Sequence, residues 1–226
     1  MLIVNTKNYA EASRSEVIKM AQASSDASKK YGVAVAVAPP TCMLSEITKY
    51  LDTVLAQHLD NVGVGSTTGY AVPETMKSIG VAGALINHSE HRIPTPDITA
   101  LVDRLKKLGM ISVVCVRDNS EMEGYLALDP EYIAIEPPEL IGSGKAISKE
   151  RPELVAEAVD IVRKAGKATK LLCGAGITSS EDVTKAIELG AEGVLVSSRV
   201  VKDENPGEKI KELAEAMSRA KRARTI

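Results

Sequence analysis

The feature that most constrains the fold is a regular alternation of short apolar runs with longer amphipathic stretches. Eight runs are strand candidates: Leu2–Val4, Val33–Ala38, Thr53–Ala56, Ala82–Ile86, Ile111–Val116, Tyr132–Ile135, Lys170–Cys173 and Gly193–Val196. Most of them are continuously apolar instead of alternating with polar residues. That pattern is typical of parallel strands that are covered on both faces of their sheet.

The amphipathic stretches between these runs carry the start and stop signals of helices. Ser13-Arg-Ser-Glu16 has the pattern of a capping box, which predicts a helix that begins there and ends near Lys30. Four further predicted helices end just before a glycine: Pro73–Ile79, Asp97–Leu108, Pro152–Ala165 and Ser180–Leu189. The basic segment Ser218–Arg224 is interpreted as the end of a last helix, where cations suit the helix dipole.

Repeated strand–helix units predict an α/β fold of the (β/α)₈ type, the TIM barrel, with eight parallel strands and outer helices. The 226 residues suit one barrel near the short end of its size range, so we expect a single domain over 1–226. The chain has no Phe or Trp, and its core must therefore be filled by aliphatic residues, as barrel interiors are. A doubly wound open sheet remains the alternative on pattern alone.

Composition and charge narrow the classes of partner. A net charge of −2, from 28 basic and 30 acidic residues, gives no sign of a nucleic-acid partner. No apolar run approaches the ~20 residues that a membrane-spanning helix needs, and we expect no membrane association. Cys42, Cys115 and Cys173 form no C-x-x-C pair, which favours reduced thiols and a cytoplasmic location.

Polar residues follow three of the predicted strands at the point where each ends. Asn5-Thr-Lys7, Asn87-His-Ser-Glu90 and Glu136-Pro-Pro138 come directly after strands. Active sites of barrels lie at the carboxyl ends of the strands, so a cation, an imidazole and a carboxylate should converge on one face. Ser89–Arg92 is interpreted as a helix N-terminus, which would disfavour the imidazolium and keep His88 neutral.

Small residues at the last two strand ends leave room for a phosphate. Gly174-Ala-Gly176 and Ser197-Ser198 follow the seventh and eighth strands, where barrels often bind phosphate through backbone amides. Ile141-Gly-Ser-Gly144 precedes a lysine, but the spacing of a P-loop is absent. With no metal-ligand cluster and no nucleotide motif in the sequence, we expect neither a metal nor a cofactor.

Together these motifs resemble the triosephosphate isomerase family over essentially the whole chain. Asn5-Thr-Lys7 resembles the motif after the family's first strand, and Ile86–Glu90 with Arg92 resembles its catalytic histidine motif. Ala134–Pro137 with Ile141–Gly144 resembles its base and lid. Departures occur in the lid, which lacks Trp, and in the phosphate loops, which have Gly174-Ala-Gly176 and Ser197-Ser198 instead of the usual residues.

The resemblance implies an aldose–ketose isomerase that interconverts dihydroxyacetone phosphate and D-glyceraldehyde 3-phosphate through an enediolate, in glycolysis and gluconeogenesis. In that family a glutamate is the base and a neutral histidine is the electrophile. The implied catalytic residues are Lys7, His88 and Glu136, with Glu90 supporting Lys7. The implied substrate contacts are Asn5, Lys7, Ile141, Gly142, Gly176, Ser197 and Ser198.

The resemblance also implies a homo-oligomer, dimer or tetramer, formed through residues 65–73, and a lid over residues 137–145. A compact, archaeal type of the family is indicated by the short helices near strands four to six. Two other functions remain open: another phosphate-binding barrel enzyme, such as a synthase or lyase, and a barrel without catalytic activity.

Overall fold

A computed structural model describes residues 1–225 of the chain. Eight parallel strands form one sheet in the order β2-β1-β8-β7-β6-β5-β4-β3. The two end strands meet through a parallel bridge between Val37 and Val54, where the Val37 amide donates to the Thr53 carbonyl at 3.2 Å. The sheet is thus a nearly closed barrel, which confirms the predicted fold class over the open-sheet alternative.

All eight predicted strands are present, and four of them have the predicted bounds. The strands are β1 (Leu2–Asn5), β2 (Val35–Ala38), β3 (Leu55–Ala56), β4 (Gly83–Ile86), β5 (Ile111–Val116), β6 (Tyr132–Ile135), β7 (Lys170–Cys173) and β8 (Gly193–Val196). Strand β3 is shorter than its apolar run because only Leu55 and Ala56 pair with β4.

Helices cover the outside of the barrel. They are α1 (Arg14–Tyr31), α2 (Leu44–Ile47), α3 (Pro73–Ser78), α4 (Thr95–Leu108), α5 (Asn119–Leu126), α6 (Ile147–Glu150), α7 (Pro152–Lys164), α8 (Ser180–Glu188), α9 (Ser198–Val201) and α10 (Pro206–Thr225). Short 3₁₀ helices span Thr41–Met43 and Pro138–Leu140. Within residues 1–225, no helix is long and apolar enough to cross a bilayer.

The helices predicted between the strands are present near their predicted positions, but one predicted cap is wrong. Ser13 does precede α1, but its side chain accepts no capping hydrogen bond, so the predicted capping box is wrong. Glu16 instead pairs with Lys19 at 2.8 Å. A capping box does form at the start of α8, between Ser179 and Asp182. The basic segment 218–224 lies in α10, as predicted.

Alternation of side chains along the strands divides the core in two. Leu2 and Val4 on β1 belong to the layer between the sheet and the helices, whereas Ile3 belongs to a smaller, separate cluster. That cluster consists of Met1, Ile3, Ala36, Ala38, Leu55, Leu85, Val113, Cys115, Tyr132, Ala134, Leu172 and Leu195. Its members come from every strand or its start, and they fill the barrel interior.

The start of the chain closes the barrel against β8. The amino group of Met1 donates to the Glu192 carbonyl at 2.8 Å, and β1 pairs with β8. Gly193 lies so close that a Cβ there would stand 1.9 Å from the Met1 carbonyl oxygen. This approach leaves no space for a side chain at residue 193.

We therefore expect Gly193→Ala to destabilise the barrel by about 1–3 kcal/mol, the usual cost of overpacking. Gly124→Ala is the matched control, because Gly124 lies within α5 and a Cβ there would meet no atom within 4 Å. This control should be more stable than the wild type by up to about 1 kcal/mol, since alanine favours helix. Urea unfolding measures both. Equal free energies of unfolding for the two variants would contradict this view of the β1–β8 contact.

Candidate active site

A cavity of about 480 Å³ opens at the carboxyl ends of the strands. Its lining contains the three residues implied as catalytic, Lys7, His88 and Glu136. It also contains five of the implied substrate contacts: Ile141, Gly142, Gly176, Ser197 and Ser198. The predicted site residues, which come from five strand ends and the segment after β6, are therefore brought together in one place.

Lys7 is held over the cavity by contacts to its backbone and to its ammonium group. Its amide donates to Oδ1 of Asn5 at 3.0 Å, and its carbonyl accepts from Nε2 of Gln57 at 3.0 Å. Asn5 is buried and is outside the described lining of the cavity. The ammonium group donates to Oε1 of Glu90 at 2.5 Å, the pairing that the sequence suggested. Lys7 is thus a fixed cation with a mostly buried side chain.

His88 lies at the end of β4 on a turn, not at a helix N-terminus. The His91 amide donates to the His88 carbonyl at 2.8 Å, and α4 begins only at Thr95. The predicted helix N-terminus over Ser89–Arg92 is therefore wrong, because the chain makes an isolated turn there before α4. Helix dipole cannot be what keeps the ring neutral.

Burial keeps the His88 imidazole neutral instead. Loss of hydration, reinforced by the nearby Lys7 cation, lowers the pKa of His88 to about 4. The Glu90 amide donates to Nδ1 at 3.2 Å, so that nitrogen is an acceptor and the ring proton must be on Nε2. His88 therefore presents a neutral N–H group toward the cavity.

Glu136 is a fully enclosed carboxylate next to that N–H group. Its Oε1 lies 3.6 Å from Nε2 of His88, and its Oε2 is buried without a hydrogen-bond partner. Burial raises the pKa of Glu136 to about 7, and the Cys115 thiol and the Lys7 ammonium partly oppose that rise. A carboxylate with a pKa near neutrality is suited to take up and return a proton.

Three glycines with left-handed backbone form another part of the cavity lining. Gly142 and Gly144 have left-handed backbone, with φ of 70° and 75°, after the 3₁₀ turn Pro138–Leu140. Gly176 has φ of 70°, and a Cβ there would stand 1.8 Å from the Lys145 carbonyl oxygen. Glycine at 176 therefore lets the segment after β6 pack against the loop after β7.

The structure adds residues whose role the sequence did not predict. A Cβ on Gly174 would lie 2.5 Å from Cγ of Glu136, so only glycine leaves space for the carboxylate. Cys115, expected from the sequence only to be a reduced thiol, is buried in the interior cluster beside Glu136. Tyr9 lines the cavity, and the Lys202 ammonium lies 4.3 Å from its ring centre. The alternation of side chains along β5 could have placed Cys115 in the barrel interior, two residues after Val113. No sequence signal identified Tyr9.

Cys42, Cys115 and Cys173 are all free thiols, as the sequence predicted. Cys115 and Cys173 are buried and free, and Cys42 is exposed and free. Burial raises the pKa of Cys173 to about 12, which keeps that thiol protonated. Among residues 1–225, no group of three or more His, Cys, Asp or Glu side chains is arranged to hold a metal ion.

Comparison with known proteins gives the same family that the sequence motifs resemble. The family model described as triosephosphate isomerase matches residues 1–217. A triosephosphate isomerase from Cenarchaeum symbiosum (strain A) is 56% identical over 218 residues, which cover 96% of this chain and 98% of that protein. Those from Methanocaldococcus jannaschii and Methanothermus fervidus are 42% and 39% identical, over 94% and 96% of this chain and 98% of each relative.

The buried Glu136 carboxylate should reduce stability at alkaline pH. Its pKa is about 7 in the folded protein against an ordinary 4.5, so the folded state holds a proton that the unfolded state has lost. The wild-type free energy of unfolding should therefore fall as pH rises from 4.5 to 7. Glu136→Gln removes this effect and should be the more stable protein at pH 8, by up to about 3 kcal/mol.

Urea unfolding at pH 5 and pH 8 measures the difference, which should shrink at the lower pH. Glu123→Gln, at an exposed position of α5, is the matched control and should leave stability unchanged at both pH values. If the gain from Glu136→Gln were the same at pH 5 as at pH 8, the raised pKa of Glu136 would be contradicted.

Proposed function

Because the chain belongs to the triosephosphate isomerase family, we propose that Glu136, His88 and Lys7 carry out its reaction. That reaction interconverts dihydroxyacetone phosphate and D-glyceraldehyde 3-phosphate, a step of glycolysis and gluconeogenesis. The alternatives left open by the sequence, another phosphate-binding barrel enzyme or a barrel without activity, give way to the isomerase.

Glu136 is the base of this proposal. It takes the proton from the carbon next to the substrate carbonyl, and the electron pair of that C–H bond forms the C=C bond of an enediolate. The carbonyl π pair moves onto its oxygen, and a proton passes from the hydroxyl oxygen to that oxygen. Glu136 then returns its proton to the adjacent carbon while the other oxygen forms the new C=O bond, so that aldehyde and ketone are exchanged. The observation that carries the proposal is the burial of this carboxylate, with raised pKa, 3.6 Å from the His88 N–H group.

His88 is the electrophile. Its neutral Nε2–H group donates a hydrogen bond to the substrate oxygen while negative charge develops there, which stabilises the enediolate. A neutral ring is supported by the lowered pKa and by the Glu90 amide that donates to Nδ1. Lys7 adds a fixed positive charge near both the oxygen and the phosphate dianion, and Glu90 holds its ammonium group in place.

The phosphate binds where small residues and backbone line the cavity. We assign its contacts to the cavity-lining residues Ile141, Gly142, Gly176, Ser197 and Ser198. Ser197 has a buried hydroxyl with no hydrogen-bond partner, consistent with a site for a polar ligand. Residues 137–145 act as a lid, and binding of the phosphate offsets the cost of closing it.

Residues 65–73 form a docking loop for a second copy of the chain. Asp60 closes the base of the loop, since its Oδ2 accepts from the Ala71 amide at 2.7 Å and its amide donates to the Ala71 carbonyl at 3.0 Å. Tyr70 in the loop, 54% exposed, and Val64 just before it, 72% exposed, are the large apolar residues that remain exposed among residues 1–225. An exposed apolar patch on such a loop is typical of an interface.

We propose a cytoplasmic enzyme built as a single domain over 1–226. Support comes from the glycolytic reaction, from the free thiols of Cys115 and Cys173, and from the participation of all eight strands in one sheet.

Replacing the base should abolish most of the activity. Glu136→Gln keeps the shape of the side chain but removes the proton acceptor, and kcat should fall by at least about 10²–10⁴-fold. Steady-state isomerisation of D-glyceraldehyde 3-phosphate by purified protein measures kcat. Glu123→Gln should retain wild-type kcat, because that side chain is exposed on α5. Near-normal turnover by Glu136→Gln would refute its role as base.

A negative charge placed in the docking loop should weaken the association between copies of the chain. The wild type should have at least twice the 24.0 kDa mass of one chain in multi-angle light scattering. Tyr70→Asp should shift the population toward a single chain, because burying an unpaired carboxylate in an interface is unfavourable. Lys29→Asp, at an exposed position on α1, should leave the mass unchanged. A fully active wild type of 24.0 kDa would rule out the oligomer.

A further inference from the structure

Asn87, the residue before His88, has a backbone conformation that few side chains adopt. Its φ is 64°, and within residues 1–225 the other left-handed non-glycine residues are Lys7 and Asp129, at 48° and 54°. Lys7 lines the active-site cavity, whereas Asp129 lies before β6, at the opposite end of the barrel from the cavity. Such conformations cost free energy and persist where surrounding contacts enforce them.

The side-chain amide of Asn87 spans the whole turn that carries His88. Its Nδ2 donates to the Cys115 carbonyl at 3.2 Å, and its Oδ1 accepts from the Ile93 amide at 3.2 Å. The first bond joins Asn87, at the start of the turn, to β5. The second bond joins Ile93, at the end of the turn, back to Asn87. Asn87 is 2% exposed, so both bonds are shielded from water.

A third contact holds the backbone of Asn87 itself. Arg92 donates through Nη1 to the Asn87 carbonyl at 3.2 Å, and its other nitrogen pairs with Glu121. Glu121 in turn accepts from the Arg117 amide at 2.7 Å, just beyond β5. The turn is therefore fastened to the end of β5 at both of its sides.

This fastening has a consequence for the distance between His88 and Glu136. Cys115, whose carbonyl receives the Asn87 amide, pairs in register with Ala134 on β6. Glu136 follows Ala134 by two residues on the same strand direction. The His88 imidazole and the Glu136 carboxylate are thus connected through Asn87, through Cys115 on β5 and through the end of β6.

We propose that Asn87 is a positioning residue, whose side-chain amide fixes the His88 imidazole relative to the Glu136 carboxylate. Glycine would adopt the same backbone conformation at no steric cost but would make neither side-chain bond. Asparagine combines a tolerance of this conformation with a donor and an acceptor. The inference rests on the role proposed for His88 as the electrophile.

The test is Asn87→Gly, which keeps the left-handed backbone and deletes both bonds. A shift of about 1 Å in a catalytic group can cost about 10²-fold, so kcat should fall between about 10-fold and 100-fold. KM should stay within about twofold, because the phosphate contacts lie on other loops. Binding of a planar phosphorylated hydroxamate, which mimics the enediolate, should weaken in parallel with kcat, while binding of inorganic phosphate should not change.

Asp129→Gly is the matched control, since it also removes the side chain of a left-handed residue. It should change the melting temperature and leave kcat unchanged. A purely structural role for Asn87 predicts the same behaviour for Asn87→Gly: lower stability, but normal kcat per folded molecule and undiminished binding of the hydroxamate. That result would overturn the proposal.

Asn87→Asp is the second variant, in case Asn87→Gly does not fold. It keeps the acceptor for the Ile93 amide and loses the donor to the Cys115 carbonyl, so kcat should again fall at least about 10-fold with little change in KM. Wild-type kcat in this variant would overturn the proposal. His88→Gln distinguishes the role of His88 from that of Asn87. Retained turnover in His88→Gln would refute the role of His88 as the electrophile. Lost turnover in His88→Gln with normal turnover in the Asn87 variants would refute only the positioning role of Asn87.

Discussion

The site depends on the closure of eight parallel strands, because closure turns alternate side chains of every strand into one narrow interior. Ile3 and Ala134 fill that interior. Asn5 and Glu136 come two residues later on the same face of their strands, where the interior opens. The floor of the cavity is therefore the last layer of the barrel core, and its polar groups are buried for the same reason as the apolar groups below them.

That burial shifts the two proposed proton-handling groups in opposite directions. Loss of hydration disfavours whichever form is charged, so it raises the pKa of Glu136 to about 7 and lowers the pKa of His88 to about 4. Lys7 opposes the first shift and reinforces the second. A single enclosed environment near the Lys7 cation thus yields a carboxyl group that can be protonated and an imidazole that stays neutral.

The sequence predicted what is local and missed what depends on packing. Continuous apolar runs located every strand, since a strand buried on both faces has no polar alternation. Neutral His88 was predicted for a wrong reason: the dipole of a helix that does not begin there, where the actual cause is burial by distant segments. Helices of one turn, such as Leu44–Ile47, are too short to show a period, and the left-handed backbone of Asn87 leaves no pattern in the sequence.

The neutrality of His88 beside an ionisable Glu136 is tested most directly by ¹⁵N NMR of the imidazole between pH 5 and pH 9. A histidine in water has a pKa of about 6.5, well inside this range. The structure predicts the shifts of a neutral ring for His88 throughout, with a protonated Nε2 and an unprotonated Nδ1, because its pKa is about 4. Ionisation of Glu136 should add only a small change to these shifts. Conversion of the His88 nitrogens to imidazolium shifts with a midpoint near neutrality, or a proton on Nδ1, would contradict the account.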